Sequence, residues 1–135
     1  MPNTPQPKDQ ALKVGSLKVR LSVDGDPAKK CVALTCGDYS GLMLRLNRLD
    51  TADKVALMLE QLRACEARGV EVQLVSKETD VRAAMLYAVL RNDGQDHLTA
   101  SVAVADAVGV GVGMPWAIHP IVNAVRAILG DEVAA

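Results

Sequence analysis

The stretch SLKVRLSVDGDPAKKCVALTCGDYSGLMLRL, residues 16–46, decides how the fold is read. Leu17, Val19, Leu21 and Val23 alternate with Lys18, Arg20 and Ser22, the period of two that marks a strand with one buried face. Asp24-Gly25-Asp26-Pro27 follows as a turn signal, because Gly tolerates positive φ and Pro cannot continue a central ladder. Residues 30–36 form a second β-rich run with Val32, Leu34 and Cys36 on one side, and Gly37-Asp38-Tyr39-Ser40-Gly41 is a second turn signal. Leu42, Leu44 and Leu46 then alternate with Met43, Arg45 and Asn47. These three runs predict an antiparallel meander with one apolar face, which three strands alone cannot stabilise without a covering layer.

The cover comes next in the chain. Thr51 is a suitable N-cap for a helix over residues 52–68, whose Ala52, Val55, Leu59, Leu62 and Cys65 repeat every three or four residues. Gly69 stands where a left-handed C-cap is wanted. Residues 70–75 alternate again and predict a fourth strand, reached by a strand–helix–strand crossover. A second helix over residues 81–91 is capped by Thr79 or Asp80, turns Val81, Ala84, Met85, Ala88 and Val89 inward, and ends at Asn92-Asp93-Gly94. The expected fold class is therefore α+β: a mostly antiparallel four-stranded sheet, a β-meander followed by βαβ, covered by two to three helices. The expected organisation is an amino-terminal tail over residues 1–15, a single domain over 16–130, and a carboxy-terminal tail over 131–135.

Residues 98–129 are unusual. Val102, Val104, Val108, Val110 and Val112 are spaced by Ala and Gly, and Gly109, Gly111 and Gly113 alternate with valines. Ala-Val repeats serve a strand or a helix equally well. Met114-Pro115-Trp116 breaks the run, and Pro120 suits the first turn of a last helix that ends at Leu129 before Gly130.

Composition bounds the function. The chain has 135 residues, 50% of them hydrophobic, with no Phe and 2% aromatics, so the core must be aliphatic. A net charge of −1 sets up no global field toward nucleic acid or membrane. Cys31, Cys36 and Cys65 include no CxxC pair, which speaks against a zinc site and a disulfide framework. The polar, Pro-rich start carries no apolar signal-peptide core, so a cytoplasmic location is expected.

Specific chemistry is hard to find. The glycine run lacks GxGxxG, because Met114 and Trp116 stand where glycines are needed, and no Lys-Ser/Thr follows it. Ser101, Asp106 and His119 have no triad spacing, and there is no nucleophile elbow. Residues 107–129 are long enough to span a bilayer but contain His119, Asn123, Arg126 and two prolines, so a buried or oligomer-facing segment is expected ahead of the minority reading, a membrane-inserting one. No catalytic residue, metal site or cofactor is assigned, and the enzyme question leans to no. The leading expectation is a small non-catalytic interaction module, homo-oligomeric or bound to a protein partner, with Gly109, Gly111, Gly113, Met114 and Trp116 at the contact. One alternative is nucleic-acid binding through Lys18, Arg20 and Arg45 on the polar sheet face. Another is a small-molecule site or enzyme using the glycine stretch with Asp106 and His119.

Overall fold

In the computed structural model, which describes residues 9–23, 31–35, 44–45, 52–111 and 115–130, the predicted strands form, but they do not pair as a meander. The elements are β1 (Asp9–Val14), β2 (Leu17–Ser22), β3 (Cys31–Thr35), β4 (Leu44–Arg45), α1 (Ala52–Arg68), β5 (Glu71–Val75), α2 (Thr79–Asn92), α3 (His97–Val108), a 3-10 turn (Pro115–Ile118) and α4 (Pro120–Ile128). Among the described residues the strand order is β1-β2-β5-β3-β4. Only β1 and β2 are antiparallel; β2 with β5, β5 with β3, and β3 with β4 are parallel.

This corrects the expected fold class. The sheet is mixed rather than mostly antiparallel, and β2 and β3 are not neighbours. The physical reason lies in β5, where Val72, Gln73, Leu74 and Val75 are all buried, so this strand is covered on both faces as central parallel strands are. It enters between β2 and β3, with Val19 beside Val72 on one side and Val32 beside Val72 on the other. The strand–helix–strand unit itself is present: α1 joins β4 to β5, and both run parallel to β3. The two turns expected at 24–27 and 37–41 lie outside the described residues.

A strand in the stretch expected to be tail precedes all this. β1 folds back on β2 through the two-residue turn Gly15-Ser16, with Val14 opposite Leu17. Gly15 has φ 62°, the positive value that a two-residue hairpin turn requires at its first position. A Cβ there would also lie 2.5 Å from Asp93 Oδ1. Ser16 donates from its amide and its hydroxyl to Glu66 Oε2, at 3.3 and 2.8 Å, tying the turn to the end of α1.

α1 and α2 lie against β2 and β5, and α3, the 3-10 turn and α4 pack on α2 from its other side. α2 is thus enclosed. Val81 and every residue from Ala83 to Arg91 are buried, more than the single inner face expected from spacing. Apart from Arg82 and Arg91 the run VRAAMLYAVLR is apolar all round, and such a helix buries nearly every side. α1 buries Val55, Leu59, Leu62 and Cys65 of the predicted stripe, and Met58, which the stripe did not include, is buried with them. α4 contributes Ile121, Val122 and Val125 to the same core.

Candidate interaction surface

The Ala-Val stretch is a helix because its ends are capped as a helix demands. Asp96 is the N-cap of α3, and its side chain accepts the Thr99 amide at 2.7 Å. That hydrogen bond, the Thr99 hydroxyl and, less strongly, the nearby Arg91 charge hold the Asp96 carboxyl below the usual carboxylate range. Gly109 closes the helix with φ 78° and donates its amide to the Ala105 carbonyl at 2.9 Å.

A polar chain fastens α3 to α2. Arg91 Nη1 donates to the Tyr87 hydroxyl at 2.8 Å, and Arg91 Nε donates to the Gln95 carbonyl at 2.9 Å. The Tyr87 hydroxyl also shares a 2.7 Å hydrogen bond with His97 Nδ1. Ser101 Oγ donates to the His97 carbonyl at 2.7 Å. Tyr87 is fully buried and Arg91 nearly so. A buried network of this kind requires its members to be partnered, and it fixes how α3 is rotated about its axis.

That rotation decides what α3 shows to solvent. Ala100, Ser101 and Val104 face α2 and are buried. The opposite side exposes Leu98 at 69% and Val102 at 53%. With Thr99, Ala103 and Asp106, all on α3, these residues form a shallow, open surface groove. Ile118, in the 3-10 turn, is a third large apolar side chain in water, 76% exposed.

The residues singled out in the sequence are distributed as follows. Gly109 is the C-cap just described, and Gly111 is exposed, its carbonyl accepting Trp116 Nε1 at 2.9 Å. Gly113 and Met114 lie outside the described residues. Trp116 is fully buried, 6.0 Å from the Tyr87 ring centre, so it fills the core rather than presenting its ring to a partner. Asp106 is exposed on the groove, whereas His119 is the N-cap of α4, its Nδ1 accepting the Ile121 amide at 3.1 Å. The groove holds Asp106 without His119. On the sheet, Lys18 is exposed, but Arg20 is held by Glu71 through Nε and Nη2 at 3.1 and 3.4 Å. The Arg45 side chain is outside the described residues.

Among the described residues, no group of three His, Cys, Asp or Glu side chains is placed to hold a metal. Cys65 is buried, and burial pushes its thiol up against the weaker opposing pull of Arg68, the reverse of what a nucleophile needs. No described helix is long and apolar enough to cross a membrane, and the 107–129 run is divided between the end of α3, the 3-10 turn and α4.

Sequence reasoning missed the Arg91–Tyr87–His97 chain. Its only local signal is the i, i+4 spacing of Tyr87 and Arg91; the third member depends on how α3 returns across α2. Comparison of the chain with protein families, with curated proteins and with solved structures finds no match.

Proposed function

We propose that this protein is a non-catalytic interaction module that docks an apolar helix of a partner protein on the outer face of α3. The observation that carries the reading is that face itself, where Leu98 and Val102 stand in water one helical turn apart above a groove with a single acid, Asp106. Apolar helices are taken into such grooves by anchors at i and i+4 spacing. The titratable side chains gathered nearby, Tyr87, Arg91 and His97, are spent on holding α3 in place.

The occupant is argued from charge. α3 carries no Lys or Arg, and the Thr99 hydroxyl already serves Asp96. Two copies of α3 packed on each other would leave both Asp106 carboxylates unanswered. A helix with a Lys or Arg beside its apolar stripe answers Asp106 and covers Leu98 and Val102 together. Titration of 15N-labelled protein with a model amphipathic helix, carrying one Lys at that position, tests this. Amide shifts are expected at Leu98, Val102, Ala103 and Asp106, with Leu98→Glu/Val102→Glu abolishing them and Asp106→Asn weakening them. Shifts centred elsewhere, or binding indifferent to the double substitution, would overturn the assignment.

A further inference from the structure

We propose that β1 is a self-pairing edge, through which two copies join antiparallel across a two-fold axis at Ala11. The surface is separate from α3 and does not depend on it.

Strand parity carries the argument. The Ser22 carbonyl accepts the Ser76 amide on the β5 side of β2. Residues 18, 20 and 22 therefore turn their backbone groups to β5, and 17, 19 and 21 turn theirs to β1. Their partners across the hairpin are Val14, Leu12 and Gln10. Alternation then leaves residues 9, 11 and 13 with N–H and C=O groups pointing away from the sheet. β1 is last in the strand order, and among the described residues nothing pairs with its outer side. Its six-residue register with β2 is unbroken by a bulge and it contains no proline, so charge is the one device on this strand that could blunt the edge.

Only one antiparallel register uses all three outward positions. It sets 11 against 11, and 9 against 13 in both directions, three narrow pairs exchanging about six hydrogen bonds. A shift of two residues either way loses a pair, and an odd shift turns the wrong groups inward. The turn at Gly15-Ser16 bounds this ladder on one side.

Charge selects the same register. Lys13 stands opposite Lys18 across the hairpin, both exposed, and like charges so placed repel. The two-fold register sets position 9 of the second copy, an Asp in the sequence, opposite Lys13, so the pairing matches opposite charges by position.

The sharpest test is Ala11→Cys. Narrow antiparallel pairs hold Cα atoms about 5.5 Å apart, within disulfide range. Under mild oxidation this variant should run as a covalent dimer without reductant. Lys13→Cys should not, because its symmetry mate lies about 13 Å along the strand. The unsubstituted protein controls for its native cysteines. In native mass spectrometry the unsubstituted chain should be a dimer at tens of micromolar. Ala11→Pro should be a folded monomer, since the Ala11 N–H serves no β1–β2 bond. Lys13→Asp should weaken the dimer roughly fivefold to thirtyfold, and adding Asp9→Lys should restore it. Leu98→Glu/Val102→Glu should leave the Ala11→Cys cross-link intact, which separates failure of this edge from failure of the α3 surface. A bare monomer at 100 µM, equal cross-linking from positions 11 and 13, or an undiminished Ala11→Pro dimer overturns the proposal.

Discussion

Replacing Trp116 with Ala tests whether the 98–129 segment contributes its one tryptophan to the core or to a partner. The ring is fully buried, packs on Tyr87 and donates to the Gly111 carbonyl. An aromatic side chain buries about 150–250 Å². At about 25 cal/mol per Å² that is roughly 4–6 kcal/mol of transfer energy, and measured Trp→Ala losses in cores run about 3–5 kcal/mol. The hydrogen bond is the smaller effect. Gly111 is exposed, so its carbonyl can turn to water once the indole is gone, and the bond is worth about 1 kcal/mol. Trp116→Phe, which keeps most of the ring, should therefore cost only about 1–2 kcal/mol. Against a total of about 5–15 kcal/mol, the Ala variant sits near the edge of unfolding and should melt at least about 10 °C lower. Urea unfolding followed by circular dichroism at 222 nm measures both variants, since the Ala variant has no tryptophan signal. In the unsubstituted protein, emission of that sole tryptophan should be blue-shifted and should move red in step with the dichroism. The reasoning fails if Trp116→Ala loses less than about 1 kcal/mol, and fails most informatively if stability holds while association is lost.

Two further outcomes follow from the cap and the latch of α3. Tyr87→Phe removes the hydroxyl between Arg91 Nη1 and His97 Nδ1 while leaving the ring in place, so it should cost about 1–3 kcal/mol and raise hydrogen exchange in α3 before α1; equal exchange in both helices would place the latch elsewhere. The Asp96 carboxyl has a lowered folded-state pKa, so its contribution is present above its unfolded value near 3.9 and is lost as pH falls through the folded value. Asp96→Ala should therefore lower stability at neutral pH and flatten the acid limb of the stability–pH curve, and an unchanged acid limb would assign that limb to other carboxylates.

How legible the fold was depends on what a periodicity can encode. α1 was readable to its ends, since an amphipathic stripe in a helix with one buried side reports that side directly. α2 and α3 were harder for opposite reasons. α2 is buried all round, so its spacing understates its burial; α3 is an Ala-Val helix whose spacing suits a strand equally, and only Asp96 and Gly109, twelve residues of helix between them, settle it. The interaction surface was legible as a region but not as residues. Excess apolar side chains between 98 and 129 were visible, but only the rotation set by Tyr87, Arg91 and His97 puts Leu98 and Val102 outside and Trp116 inside.

Strand order was not legible, because alternation states which side of a strand is buried and says nothing about its neighbours. β2 alternates identically whether β3 or β5 lies beside it. What distinguishes the two is β5, where the polar Gln73 is as buried as Val72 and Leu74, a pattern that a strand with one solvated face does not show. The insertion of β5 has a consequence at the far side of the sheet. With β5 occupying one edge of β2, the other edge is left to β1, and the short turn at Gly15-Ser16 fixes which β1 residues face inward. The amino-terminal alternation of Leu12 and Val14 with Ala11 and Lys13 was present in the sequence all along, and it resumes one residue out of phase at Leu17, as a two-residue hairpin turn requires. It reads as a tail while β2 is assumed to open the sheet, and as a hairpin arm once a neighbour is required on that side. The outward groups of residues 9, 11 and 13 thus follow from the turn at Gly15-Ser16 and from the side of β2 that β5 occupies, a side reported by the hydrogen bond between positions 22 and 76.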